Sequence, residues 1–140
     1  MFASLDISTS ALVAQRLRLN TLSSNIANMS TTRNEAGESQ PYQPKFVSFR
    51  TAPEIGNSPG AAGVKVDQVG VEEMDPIMKY QPGHQDAIKE GPKAGWVAYP
   101  RINLMQEFTD AVETTRAYEA NVGVIEISKD MTNQTLRILA

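Results

Sequence analysis

The chain has 140 residues, 41% of them hydrophobic but only 6% aromatic, with a net charge of −3 and no cysteine. Aromatic side chains carry much of a core's buried area, so one domain with a small core is expected. The missing cysteine excludes disulfides, Cys-ligated metal centres and thiol catalysis, the lack of a basic cluster excludes nucleic acid as a partner, and the longest apolar run, residues 11–14, suits neither a membrane span nor a cleaved secretory signal.

Residues 1–28 read as a helix. Leu5, Leu12, Leu19 and Ile26 fall seven apart, with Leu22 and Met29 on the neighbouring row. That is the spacing of a coiled-coil seam. Asp6 or Ser8 is the expected cap, and the polar cluster at 28–32 the expected end. Residues 1–34 form the first segment.

Residues 35–100 change character. All eight prolines lie between 41 and 100, and eight of the nine glycines between 37 and 95. No useful helix fits. Strand-like alternation runs through 42–50 and 63–74, with Gly70 as a candidate bulge, and through 77–80 and 96–99. Residues 55–62 read as a loop. Pro82 and Gly83 stand where a type II turn wants them in 81–84. The expectation is one small β element of three or four strands, packed on the lower part of the following helix.

Residues 101–140 form the last segment. From Asn103 onward there is no proline and one glycine. Leu104, Phe108, Ala111, Tyr118, Val122, Ile125, Leu136 and Leu139 recur at helical spacing, with gaps at Thr115, Lys129 and Thr132. Asn103 suits an N-cap, and Gln106 stands at the second position of a capping box. Gly123 is either tolerated or marks a close approach of a neighbouring helix or loop.

Two seamed helices at opposite ends of one chain predict a fold class. It is mainly α with a small β element: the N- and C-terminal helices pair as an antiparallel coiled-coil-like hairpin with a small β domain inserted. About 22 residues against about 36 leaves roughly 20 Å of the longer helix unpaired. Its apolar stripe then needs a partner outside the chain. The residues expected to carry helix packing and assembly are Leu12, Leu19, Leu22, Ile26, Leu104, Phe108, Tyr118, Val122, Ile125, Leu136 and Leu139.

No catalytic constellation emerges, and no enzyme, cofactor or metal is expected. His84 is the single histidine. No Gly-x-Ser-x-Gly elbow, P-loop or dinucleotide fingerprint occurs. The acids Asp67, Glu72, Glu73 and Asp75 lack the spacing of a calcium loop and read as a solvated edge.

Residues 22–28, Leu-Ser-Ser-Asn-Ile-Ala-Asn, resemble the N-terminal signature of the bacterial flagellar axial proteins, which include rod, hook and hook-associated proteins. Residues 116–122, Arg-Ala-Tyr-Glu-Ala-Asn-Val, resemble their C-terminal signature. The motif positions are Asn25, Ala27, Asn28, Tyr118, Ala120 and Asn121. Between them Tyr80, Pro82, Gly83, the Gly95-Trp96-Val97 run, and Tyr99-Pro100 are similar to the proximal rod members. Residues 85–94 are longer than the family's usual turn. The resemblance implies a structural subunit of the rod, which spans the periplasmic space and transmits torque from motor to hook. It implies export by the flagellar type III apparatus without a cleaved signal. The implied partners are other copies of the chain, other proximal and distal rod proteins, and the membrane-ring (MS-ring) and rod-junction proteins. The alternatives are another axial rod subunit, or a secreted or chaperone-type coiled-coil protein of the same export pathway.

Overall fold

The computed structural model describes residues 2–56 and 60–139, the side chains of Phe2 and Leu139 excepted. Among them the order is α1 (Phe2–Ala27), β1 (Lys45–Ala52), β2 (Gly63–Val71), β3 (Ile77–Tyr80), β4 (Trp96–Tyr99) and α2 (Leu104–Leu139). The protein is mainly helical with a small β component. Part of the expected loop at 55–62, residues 57–59, lies outside the described residues, as does Met1.

Helix α1 starts earlier than its expected caps allow. Asp6 and Ser8 both lie inside it, and Ser8 is buried. No proline or glycine in this stretch stops the helix from reaching back to Phe2. At its other end Asn28 takes over the capping. Its Nδ2 donates to the Ser24 carbonyl at 2.9 Å, and its Oδ1 accepts from the Thr31 hydroxyl at 3.1 Å.

The four strands do not form one element. They form two antiparallel hairpins, β1–β2 and β3–β4, in separate sheets. The break is physical: residues 72–76 carry no regular structure, and Pro76, which has no N–H to offer a ladder, stands directly before β3. The irregularity in β1–β2 is not at Gly70. Ser48 pairs with Gln68 and Phe49 with Val66, which leaves Asp67 as the extra residue. Gly70 answers a different need. A Cβ there would lie 2.5 Å from Cζ of Phe46, whose ring crosses the facing strand. Gly63, where β2 begins, is as confined: a Cβ would meet Ile55 Cγ2 at 2.6 Å and Ser10 Oγ at 2.8 Å. Ser10 Oγ also accepts the Val64 N–H at 3.0 Å, so the strand is stitched to α1 at its second residue.

The β1–β2 hairpin therefore packs on α1 and not on α2, contrary to expectation. As elements, α1 touches α2, β1 and β2, whereas β3 and β4 touch only each other. The turn at 81–84 closes with a His84 N–H donated to the Gln81 carbonyl at 3.0 Å. Gly83 stays out of the positive-φ region, so the turn is not type II. Proline at the second position suits type I equally well.

Helix α2 begins as expected. Asn103 Oδ1 accepts the N–H groups of Met105 and Gln106 at 3.1 and 3.4 Å. Among the described residues nothing lies within 4 Å of a Cβ built at Gly123, so no other helix or loop of the chain approaches closely there.

Among the described residues the hydrophobic core consists of Ala14, Leu22, Ala52 and Val97, all buried. The accessible surface is 9708 Å². A compact monomer of 15.3 kDa would expose about 7,100 Å². The excess is the signature of an extended molecule with little interior.

Candidate assembly surface

Three segments meet at Asn25, which is 2% exposed. Its Oδ1 accepts the Lys45 N–H at 2.9 Å and the Tyr42 hydroxyl at 3.1 Å. Its Nδ2 donates to the Lys45 carbonyl at 2.8 Å and to Glu107 Oε2 at 3.3 Å. The side-chain amide thus pairs with the first residue of β1 as a neighbouring strand would, and reaches the first turn of α2 as well. Every donor of the amide is used, which makes its burial affordable. Burial pushes the Glu107 carboxyl above its usual range. The Asn25 bond opposes that rise, and the charges of Asp110 and Glu72 add to it.

A second polar cluster lies beyond the end of α1. Asp86, in the loop between β3 and β4, is buried and accepts from the Thr32 hydroxyl at 2.7 Å and from Arg33 Nε. Its own N–H donates to His84 Nδ1 at 3.1 Å. The Thr32 bond lowers the Asp86 pKa most, burial opposes it, and Arg33 and His84 lower it further. The four acids at 67–75 are all exposed, and among the described residues no cluster fit for a metal exists.

The apolar residues singled out from the sequence fall into three groups. Leu22 is buried, and Leu12, Leu19, Ile26, Val122 and Ile125 are half-buried. Leu104, Phe108, Tyr118 and Leu136 are exposed. The side chain of Leu139 lies outside the described residues. The covered face of α2 runs through Glu107, Asp110, Ala111, Thr114, Ala117, Asn121, Val122, Ile125, Ser128 and Thr132. It is largely polar or small, and rotated roughly 50° from the row read in the sequence, at 100° per residue. Thr114 and Asn121 satisfy themselves on their own helix, bonding the carbonyls of Asp110 and Ala117.

Of the remaining motif residues, Ala27 and Ala120 are exposed. Tyr80 meets Trp96 edge-on, with ring centroids 5.7 Å apart. Pro82 and Gly83 lie exposed in the turn.

Sequence reasoning missed an outer row on α2. Val124, Ile127, Met131 and Ile138 are all exposed, Ile127 at 63% and Ile138 at 84%. Their spacing of three, four and seven was legible. Met105 and Val112 add exposed apolar surface nearer the start of the helix. From residue 133 to 138 every side chain is exposed, Leu136 among them. On α1, Val13, Ala14 and Leu17 line an open cleft of about 520 Å³ with Ile55, Val64 and Val66. Isolated exposed apolar residues are ordinary, but contiguous rows of this extent mark contact surfaces. Among the described residues no helix is long and apolar enough to cross a membrane.

Residues 5–33 match the family of the flagella basal body rod protein, and residues 93–138 match the C-terminal family of the flagellar basal body rod FlgEFG proteins. Three proteins named flagellar basal-body rod protein FlgC are similar along their length. That of Borreliella burgdorferi is 36% identical over 99% of this chain and 97% of its own. That of Bacillus subtilis is 38% identical over 98% and 97%. That of Escherichia coli O157:H7 is 36% identical over 95% and 93%. With both terminal helices matched and relatives of similar length aligned from end to end, the chain belongs to the FlgC family of flagellar basal-body rod proteins.

Proposed function

We propose that this chain is a structural, non-enzymatic subunit of the flagellar basal-body rod, built into a helical tube by packing of its terminal helices and carrying torque from motor to hook. The observation that carries the reading is the unshared end of α2: residues 133–138 have no cover, and Leu136 and Ile138 stand in the open. In this reading α1 and α2 pair antiparallel. The Asn25–Glu107 bond supports that orientation, since it joins the end of α1 to the start of α2. With 26 residues against 36, the longer helix then outruns the shorter by about 15 Å. A head-to-tail contact repeated with a screw rotation extends into a tube and does not close.

Residues 1–34 and 101–140 form the core layer of the tube in this reading, and 35–100 the small β region outside it. Leu104, Phe108, Tyr118 and Leu136 face neighbouring subunits. Leu12, Leu19, Leu22, Ile26, Val122 and Ile125 hold the helix pair. Neighbours are other copies of the chain, other proximal and distal rod proteins, and the membrane-ring junction. The subunit reaches the rod, in the periplasmic space, through the type III export apparatus without a cleaved signal. Many nearly parallel helices resist twist because close-packed interiors are poorly compressible.

The test is electron microscopy of basal bodies from a strain lacking the gene, with and without a plasmid copy. The expected result is a membrane ring with no rod, restored by the plasmid. Complete rods and hooks without the gene would refute the reading and favour a chaperone role.

A further inference from the structure

The β3–β4 hairpin and its loop form a compact arm. The Gln81 N–H bonds the Gly95 carbonyl at 2.8 Å, the Ile88 N–H bonds the Trp96 carbonyl at 2.9 Å, and the Gly95 N–H returns to Ile88 at 2.8 Å. The loop is thus folded back on β4, with Val97 fully buried. Yet neither strand packs on α1, α2, β1 or β2. At its base the arm is pinned by Gln43, whose amide exchanges two hydrogen bonds with the backbone of Met74, at 3.1 and 3.4 Å. Arg101 Nε bonds the Asp75 carbonyl at 2.9 Å, which ties the two ends of the arm to each other and to nothing else. The tie away from the base is Asp86, which grips Thr32 and Arg33 in the linker leaving α1.

From this layout we infer that the β3–β4 arm is a hinged unit, and that the Thr32–Arg33–Asp86 cluster is the latch fixing its angle to the end of α1. A two-stranded hairpin with no face packed on another helix or sheet has, beyond its base, little else to hold its orientation. A buried carboxylate with two side-chain donors is a strong tie while complete, and an expensive one when a partner is lost. The arm carries exposed Ile77, Tyr80, Ile88 and Trp96. The state of the latch therefore decides where this apolar patch faces. Because Thr32 and Arg33 follow α1 by a few residues, a shift of the α1 end pulls on the latch directly.

The chain has no cysteine, so two introduced cysteines can be spin-labelled without background. Exposed Arg16 on α1 and Lys93 on the arm are suitable positions. The parent protein should give one narrow inter-label distance. D86A, and more mildly T32V, should broaden or shift it. Hydrogen exchange of the same variants should leave α1, α2 and the β3–β4 amides as protected as in the parent. In D86A the Tyr42 and Thr31 region of the linker should exchange about tenfold faster. An unchanged distance distribution in both variants overturns the inference. So does loss of protection in β3–β4, which would mean that Asp86 holds the arm together, or in α1 and α2, which would mean that it supports the whole molecule.

Discussion

Asn25 is the residue on which the most geometry depends. Asn25→Ala leaves the Lys45 backbone pair, the Tyr42 hydroxyl and Glu107 without their shared partner. A loss of about 2–4 kcal/mol is expected, at roughly 1 kcal/mol or more per buried group orphaned, read as a fall in the urea midpoint. Glu107 makes a prediction of opposite sign. Its pKa is higher in the folded chain than the ordinary 4.5, so the folded state holds the proton more tightly and this site loses stability as pH rises through and above that value. Glu107→Gln keeps an oxygen for Asn25 and removes the charge. It should stabilise the protein at pH 7, and the gain should vanish below about pH 4; urea titrations at the two pH values decide it. Asparagine in the 22–28 signature was readable in the sequence, but its bonds were not, because both its strand partner and its helix partner are distant in the chain.

At the scale of elements, α2 does two jobs with two faces. Its covered side is polar and small, which lets α1 approach closely but stabilises the pair little. Its apolar rows point outward. Leu136→Asp should therefore leave the urea midpoint of the isolated protein within about 0.5 kcal/mol of the parent, as for other exposed sites, while abolishing rod assembly in cells. A normal rod would remove the end of α2 from the contact. Gly123→Ala, in an open part of the same helix, should add about 0.5–1 kcal/mol by helix propensity, seen as a higher melting temperature. The extents of β3, β4 and α2 were legible, because proline, glycine and an asparagine cap punctuate them. The start of α1 was not, because Asp6 and Ser8 look like caps wherever a helix is expected to begin. The pairing of strands into two hairpins was not legible either. Hydrophobic alternation fixes which residues alternate, and says nothing of which strand lies alongside.

Across the whole molecule, little interior stands behind much surface. The described chain has one contiguous body, α1 with α2 and β1–β2, and one attached arm. Unfolding should accordingly show two transitions. Trp96, the single tryptophan, sits in the arm and reports it alone, whereas far-ultraviolet circular dichroism follows the helices. The fluorescence midpoint in urea should fall below the dichroism midpoint, a departure from two-state behaviour. Coincident curves would mean that the arm and the body unfold as one.

The hydrogen bond from Asn25 to Glu107 spans 82 residues, and its reach has a consequence in time. Contacts this far apart in sequence form late, because the intervening chain must first be closed into a loop. On the ribosome, α1 is made first and its helical partner last. Until the final third of the chain has emerged, the face of α1 that receives α2 has nothing to receive. Each molecule therefore passes its synthesis with the first helix open to whatever else can bind it.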